Sequence, residues 1–211
     1  MAWACRGGSG LPRDEAPAEP QDTPALAYAG GAVAGESPPS PAGFVFALLL
    51  ALLGGAFGIF GAVVQEIQTG GFLLLPFVGA PIIEELVKPS GVYLLLARWP
   101  RLLRGQLHTA LLAAVAGLTF GVIEAVVYVT LYVPDPPAWF VTYRFTVGLA
   151  LHATASFIVG LGINPGLLDW ASRGAPLPKA TRNFYVAGIG LHAAFNTVAF
   201  ALVLSDVINV D

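Results

Sequence analysis

Residues 84–88 read EELVK, so two glutamates and a lysine stand inside a stretch that is otherwise glycine, proline and aliphatic side chains. Further along the chain Glu124 lies in FGVIE, His152 and Ser156 in HATAS, and His192 and Asn196 in HAAFN. A glutamate can take a proton from water as that water attacks a carbonyl. An asparagine N–H can then stabilise the developing oxyanion. Two histidines and a carboxylate can also fill three positions of a catalytic zinc site, and His152, His192 and either Glu124 or Glu84 offer that set. No HExxH pair places two ligands and a base on one helix, so metal-dependent and metal-free chemistry both stay open. Without a metal, Glu124 and a second nearby carboxylate would repel each other, whereas a divalent cation makes both useful ligands.

Helical spacing says how these groups can meet. His192 and Asn196, His152 and Ser156, and Glu84 and Lys88 are each four residues apart, so each pair projects from one face of a helix. Glu84 and Glu85 are successive and diverge by about 100°, which gives them different tasks. Lys88 lies within reach of either acid as an ion-pair partner. Gly117 and Gly121 near Glu124, Gly148 and Gly160 in line with His152, and Gly188 in line with His192 would let helices approach closely and turn these faces inward. Pro81 suits the first position of a helix, which would set both acids near a positive helix end. Pro89 removes a backbone bond and is expected to loosen the helix enough to admit water or an extended peptide.

The elements that must carry these residues are membrane helices. The chain is 56% hydrophobic and only 11% charged, with a mean hydropathy of +0.73. Soluble domains carry about 25% charged residues. Apolar segments of spanning length occupy 43–64, 71–97, 107–133, 145–163 and 184–204. The second carries Pro76, Pro81 and Pro89, so the expected fold is an all-α bundle of about five to six transmembrane helices, with a broken helix bearing EELVK. Residues 1–42 are rich in Pro, Ala and Gly and read as a disordered tail, 43–205 as the membrane domain and 206–211 as a short end. Cys5 is the sole cysteine, which excludes an internal disulfide. A net charge of -3 and no basic cluster argue against nucleic acid.

Arg98, Arg101 and Arg104, then Arg173, Lys179 and Arg182, mark two loops as cytoplasmic, while 65–70 and 134–143 hold no Lys or Arg. The N-terminus is therefore expected inside and the C-terminus outside, in the cell membrane. Trp99, Tyr132, Trp139, Tyr143, Trp170 and Tyr185 fall at the span ends, where interfacial aromatic residues sit. Three acids and a lysine at membrane depth would cost on the order of 10 kcal/mol if left unpaired, so they are expected to converge.

The motifs EExxK, FxxxE from Phe120 to Glu124, HxxxS and HxxxN, in that order on successive segments, resemble the PrsW family of intramembrane proteases. The likeness extends to the wider superfamily of CAAX prenyl-proteases and bacteriocin-processing enzymes, whose second motif ends in His where this chain has Glu124. These motifs cover roughly residues 71–200, leaving the first segment outside. The resemblance implies hydrolysis of a peptide bond in or beside the lipid bilayer. It casts Glu84 or Glu85 as the group that activates water, and His192 and Asn196 as supports of the attacked carbonyl. Lys88, Glu124 and His152 complete the motif set, and zinc is the metal to test. The substrate it implies is a membrane-anchored protein or peptide, such as an anti-sigma factor, a prenylated tail or a maturing peptide.

Plainer readings apply to single residues. An intramembrane His or Asn commonly just links helices, Ser156 reads as small-residue packing, and His108 as interfacial. Asp135, Asp169, Asp206 and the arginines read as solvated loop or end residues. As a set, the membrane-depth groups exceed that account. A proton-coupled transporter would use the same residue types, but no inverted repeat is evident. A catalytically inactive scaffold is the third alternative.

Overall fold

The computed structural model describes residues 40–69 and 75–204, so the expected tail over 1–39 and the end beyond 204 lie outside the described residues. Helix α1 covers Pro41–Thr69. A π-helical turn, Leu75–Gly79, runs into α2 (Ala80–Val87), and α3 (Ser90–Arg98) follows. Helix α4 (Gln106–Val127) ends in a second π turn, Tyr128–Tyr132. Helix α5 (Ala138–Tyr143), a third π turn (Arg144–Gly148) and α6 (Leu149–Leu161) form one continuous run, followed by α7 (Pro165–Arg173) and α8 (Lys179–Leu204). Every described element is helical, as composition required.

Among the described residues four runs are long and apolar enough to cross a membrane: Pro41–Val64, Gln106–Tyr132, Ala138–Leu161 and Lys179–Leu202. The run Leu75–Arg98 is a further helical element packed among them. It is broken at Lys88 and Pro89, and the helix restarts where the N–H groups of Val92 and Tyr93 bond the Pro89 carbonyl at 2.8 and 2.9 Å. The all-α membrane bundle with a broken helix is as expected, with four candidate spans among the described residues where about five to six were expected.

Two local expectations are corrected. Gly79 has helical dihedrals and the π turn precedes it, so Glu84 and Glu85 lie well inside a helical run and not at a free helix end. Lys88 and Pro89 are both fully buried, so the break is packed against the bundle and offers no opening. Gly58 of α1 supplies that packing: a Cβ there would lie 3.4 Å from the Lys88 Cα and 3.5 Å from its Cγ.

Helix α4 packs most extensively on α6, α1 lies across α3 and α4, and α8 closes on α6 and α2. Close approach depends on glycine at the tightest crossings. A Cβ at Gly117 would come within 2.6 Å of the Ser156 hydroxyl, and one at Gly188 within 2.7 Å of the Ala155 carbonyl. Gly148 differs from the other stripe positions, since its nearest such contact is 3.9 Å away and it borders a cleft. Beside the basic loops, Ala47, Ala51, Val92, Leu95, Leu112 and Ile163 make an apolar core. The short helix α7 there was not foreseen. Asn164 caps it by accepting the Gly166 N–H at 2.9 Å, Pro165 opens it, and Gly174 ends it at φ 69°, where a side chain would be strained.

Candidate active site

Helices α2, α4, α6 and α8 bring Glu84, Glu85, Lys88, Glu124, His152 and His192 into one cluster at the end of the bundle opposite the apolar core. Its bonds can be read from the two groups that only donate, Arg144 and Lys88. Arg144 Nη2 donates to Glu124 Oε2 at 2.7 Å. The same oxygen lies 2.7 Å from His152 Nε2, so that nitrogen carries the hydrogen. His152 Nδ1 is then the acceptor, and Lys88 Nζ donates to it at 2.9 Å.

Lys88 also donates to Glu85 Oε1 at 2.7 Å and stands over the Phe120 ring at 4.2 Å from its centroid. The second motif's phenylalanine thus shields the lysine of the first. Glu85 takes a second donor, His192 Nδ1, at 2.9 Å on the same oxygen, and the Ser156 hydroxyl at 2.8 Å on Oε2. Three donors on one fully buried carboxylate make Glu85 a structural hub. Because His192 gives its Nδ1 hydrogen to Glu85, its Nε2 holds a lone pair.

That lone pair faces Glu84. Glu84 Oε2 lies 3.8 Å from His192 Nε2 and 3.2 Å from Lys88 Nζ, and it is a buried oxygen with no hydrogen-bond partner. Buried polar atoms are nearly always bonded, so an orphan among so many satisfied neighbours marks where a ligand is expected. The two acids divide as their helical directions required, one bonded inward and one left facing a cleft.

The cleft has a volume of about 270 Å³. Glu84, Glu124, His152, His192 and Asn196 line its floor, with Arg144 beside them. Its walls are aromatic: Phe77 meets Phe200 edge-on at 4.9 Å between centroids, and Tyr143 stacks on Phe195 at 6.1 Å. Asn196, one turn beyond His192 on α8, presents its side chain to the same space. An apolar throat ending in a few convergent polar groups suits an extended peptide.

Residues 41–210 match the profile described as PrsW family intramembrane metalloprotease. The chain belongs to the PrsW family. No curated protein and no solved structure matches it. The PrsW match begins at α1, whereas the motifs alone suggested a start near residue 71. The packing of Gly58 around Lys88 gives the reason, since α1 walls in the lysine that the EExxK motif contributes.

The family description implies a metal, and the residues present can be tested against one. Glu84, His152 and His192 each offer a ligand atom, all within 4.8 Å of one another, and Glu84 has an oxygen without a hydrogen-bond partner. Two histidines and a carboxylate are the donor types of catalytic zinc sites, so the set fits. Glu84 and His192 Nε2 present free lone pairs, while both ring nitrogens of His152 are engaged, Nδ1 by Lys88 and Nε2 by Glu124, so it joins only by releasing one of them. Glu124, the carboxylate first considered with these histidines, is instead paired with Arg144 and His152.

Two residues of this PrsW site escaped sequence reasoning. Arg144 was grouped with solvated arginines, yet its side chain is only 13% exposed, bonds Glu124 and lies over the Tyr128 ring at 3.9 Å. The hydropathy search began the fourth segment at Phe145 because a charge depresses the window, but the helix starts at Ala138 and includes Arg144 two turns before His152. Ser156 was read as packing and is a donor to Glu85. His108, as expected, lies apart, its Nδ1 accepting the Arg104 N–H at 3.2 Å.

Proposed function

We propose that this PrsW-family protease cleaves a peptide bond of a membrane-anchored protein or peptide with water activated by Glu84. The reading rests on the Glu84 oxygen that lies buried beside the cleft without a hydrogen-bond partner, while Glu85 and Glu124 are occupied. A water seated between Glu84 and His192 Nε2 loses a proton to Glu84 as its oxygen attacks the carbonyl carbon. Asn196 donates to the developing oxyanion. Glu84 then passes the proton to the leaving nitrogen as the C–N bond breaks. His192 is held in the needed tautomer by Glu85, and Lys88 holds both acids in place. A divalent metal held by Glu84, His192 and His152 would polarise the same water.

The aromatic throat admits an extended apolar segment, which favours hydrolysis over proton-coupled transport. Reconstitution with fluorophore–quencher peptides, each carrying an apolar span, tests the assignment: cleaved product is expected, and none under any lipid condition overturns it. Metal content measured with activity after exhaustive chelation separates the two forms of the chemistry. Stoichiometric zinc whose removal abolishes cleavage would establish the metal-assisted form.

The polar floor lies on the side away from the basic loops, which supports a reaction toward the outer leaflet and an N-terminus inside the cell. Arg101 and Ala138 are exposed at opposite ends of the bundle. Single cysteines there, with Cys5 removed, should differ in reaction with an impermeant thiol reagent on intact cells. Labelling of both from one side would reverse this placement.

A further inference from the structure

The motif residues account for the cluster except at one end. The chain of bonds runs from His192 through Glu85, Lys88 and His152 to Glu124, and it terminates on Arg144, which belongs to none of the motifs.

We infer that Arg144 is a positioning residue for the PrsW reaction: it fixes Glu124 as an acceptor, which sets the His152 tautomer and so aims the Lys88 ammonium at Glu84 and Glu85. The inference rests on the hydrolytic reading above for its consequence, though not for its test. Each link is forced by donor and acceptor capacity. Glu124 Oε2 receives both Arg144 Nη2 and His152 Nε2 at 2.7 Å, an arrangement open to a carboxylate and closed to a carboxylic acid oxygen that carries its own hydrogen. His152 protonated on Nε2 can accept on Nδ1, where Lys88 stands at 2.9 Å. With the opposite tautomer, two N–H donors would face each other there and Lys88 would be driven away from both acids.

Arg144 is itself held in place. Its guanidinium lies over the Tyr128 ring at 3.9 Å, and the π turn that begins with it carries it toward α4. A planar, permanently charged group is suited to this task, since it stays a donor at any working pH.

The chain has only three histidines, so the test reads them directly. The full chain, labelled with nitrogen-15 in histidine and reconstituted in lipid, should give three ring signal sets, with His108→Ala removing one. Wild type is expected to show hydrogen on Nε2 of His152 and on Nδ1 of His192. Arg144→Ala and Arg144→Gln should abolish the single tautomer at His152 while leaving His192, which is held by Glu85, as it was. Arg144→Lys, which keeps one cationic donor, should preserve the wild-type pattern. Guanidinium ion added to Arg144→Ala should restore it, where an alkylammonium of similar size does so less well. If His152 is unchanged in Arg144→Ala and Arg144→Gln, or both site histidines change together as in general loosening, the inference is overturned.

In the peptide cleavage assay Arg144→Ala and Arg144→Gln should lose kcat by about 10- to 100-fold with KM little changed, and Arg144→Lys should lose less. The two failures are distinguishable. Full activity of Glu84→Gln would remove the hydrolytic reading and leave the tautomer result standing, whereas loss of activity in Glu84→Gln together with an unaltered His152 signal in Arg144→Ala would remove only the role of Arg144.

Discussion

The end of the bundle beside the basic loops and the end around the cleft share helix α4, are equally buried, and are held by different forces. In the first, Val92, Leu95, Leu112 and Ile163 meet with no polar side-chain atom to satisfy. In the second, Glu85, Lys88, His152 and His192 are as deeply buried, and each fixes what its neighbour can donate or accept. Lipid tails are as apolar as leucine, so leaving lipid adds little to helix association and the dry end relies on fit and close backbone approach. The polar end relies on partners that are lost in an all-or-none way. Shape is what matters at one end, and atom identity at the other.

The sharpest break between the two ends is catalytic. Glu84→Gln and His192→Ala should each lower peptide cleavage by about 100- to 10,000-fold, the scale of general acid–base catalysis. Glu84→Gln should lower the thermal midpoint in detergent less than Lys88→Met does, because it gives up one ion-pair contact with Lys88 at 3.2 Å, keeps the side chain's shape and loses no hydrogen bond. Near-wild-type turnover in both variants would erase the functional side of the contrast. Next in size, Lys88→Met removes the shared cation of two buried carboxylates and should destabilise the fold by about 3–5 kcal/mol, read as loss of thermal stability.

Ser156→Ala takes one donor from Glu85 and should cost about 1.5–3 kcal/mol, since hydrogen bonds to charged groups are the stronger ones. At the dry end, Leu95→Ala should cost about 2 kcal/mol and Leu95→Met less than about 1.5 kcal/mol, both with unaltered turnover per folded molecule. If Leu95→Ala proved more damaging than Lys88→Met, the division between shape and atom identity would be wrong.

The contrast also explains what could be read from the sequence. Charged residues within apolar runs are conspicuous, so Glu84, Glu85, Lys88, Glu124, His152 and His192 could be picked out, and four-residue spacing placed Asn196 with His192. The different directions of Glu84 and Glu85 followed from helix geometry alone. What could not be read were long-range partners: nothing in the order of residues ties Arg144 to Glu124, or Ser156 to Glu85 across the bundle. Pro81 does stand in the first turn of α2, but a π turn continues the helical run ahead of it, so no free helix end faces the acids, and that continuation is not visible in the local sequence. The loosening expected at Pro89 was filled by α1, a tertiary effect that local sequence does not carry.

The three π turns each give a residue to the cleft: Phe77 from Leu75–Gly79, Tyr128 from Tyr128–Tyr132, and Arg144 from Arg144–Gly148. Such turns are uncommon and tend to gather at functional sites. Their presence makes chain length, as well as residue identity, a determinant of this enzyme. Deleting a single residue such as Thr146 would let its turn relax to an ordinary α-helix while the flanking helix keeps its phase, because the widened turn is what absorbs the extra residue. Arg144, which opens that turn, would lose the widened backbone that now surrounds it, and its approach to Glu124 would change with no charged side chain exchanged. Relatives that diverge by one-residue gaps at these three places would thus be expected to differ in the geometry of the site even where every motif residue is kept.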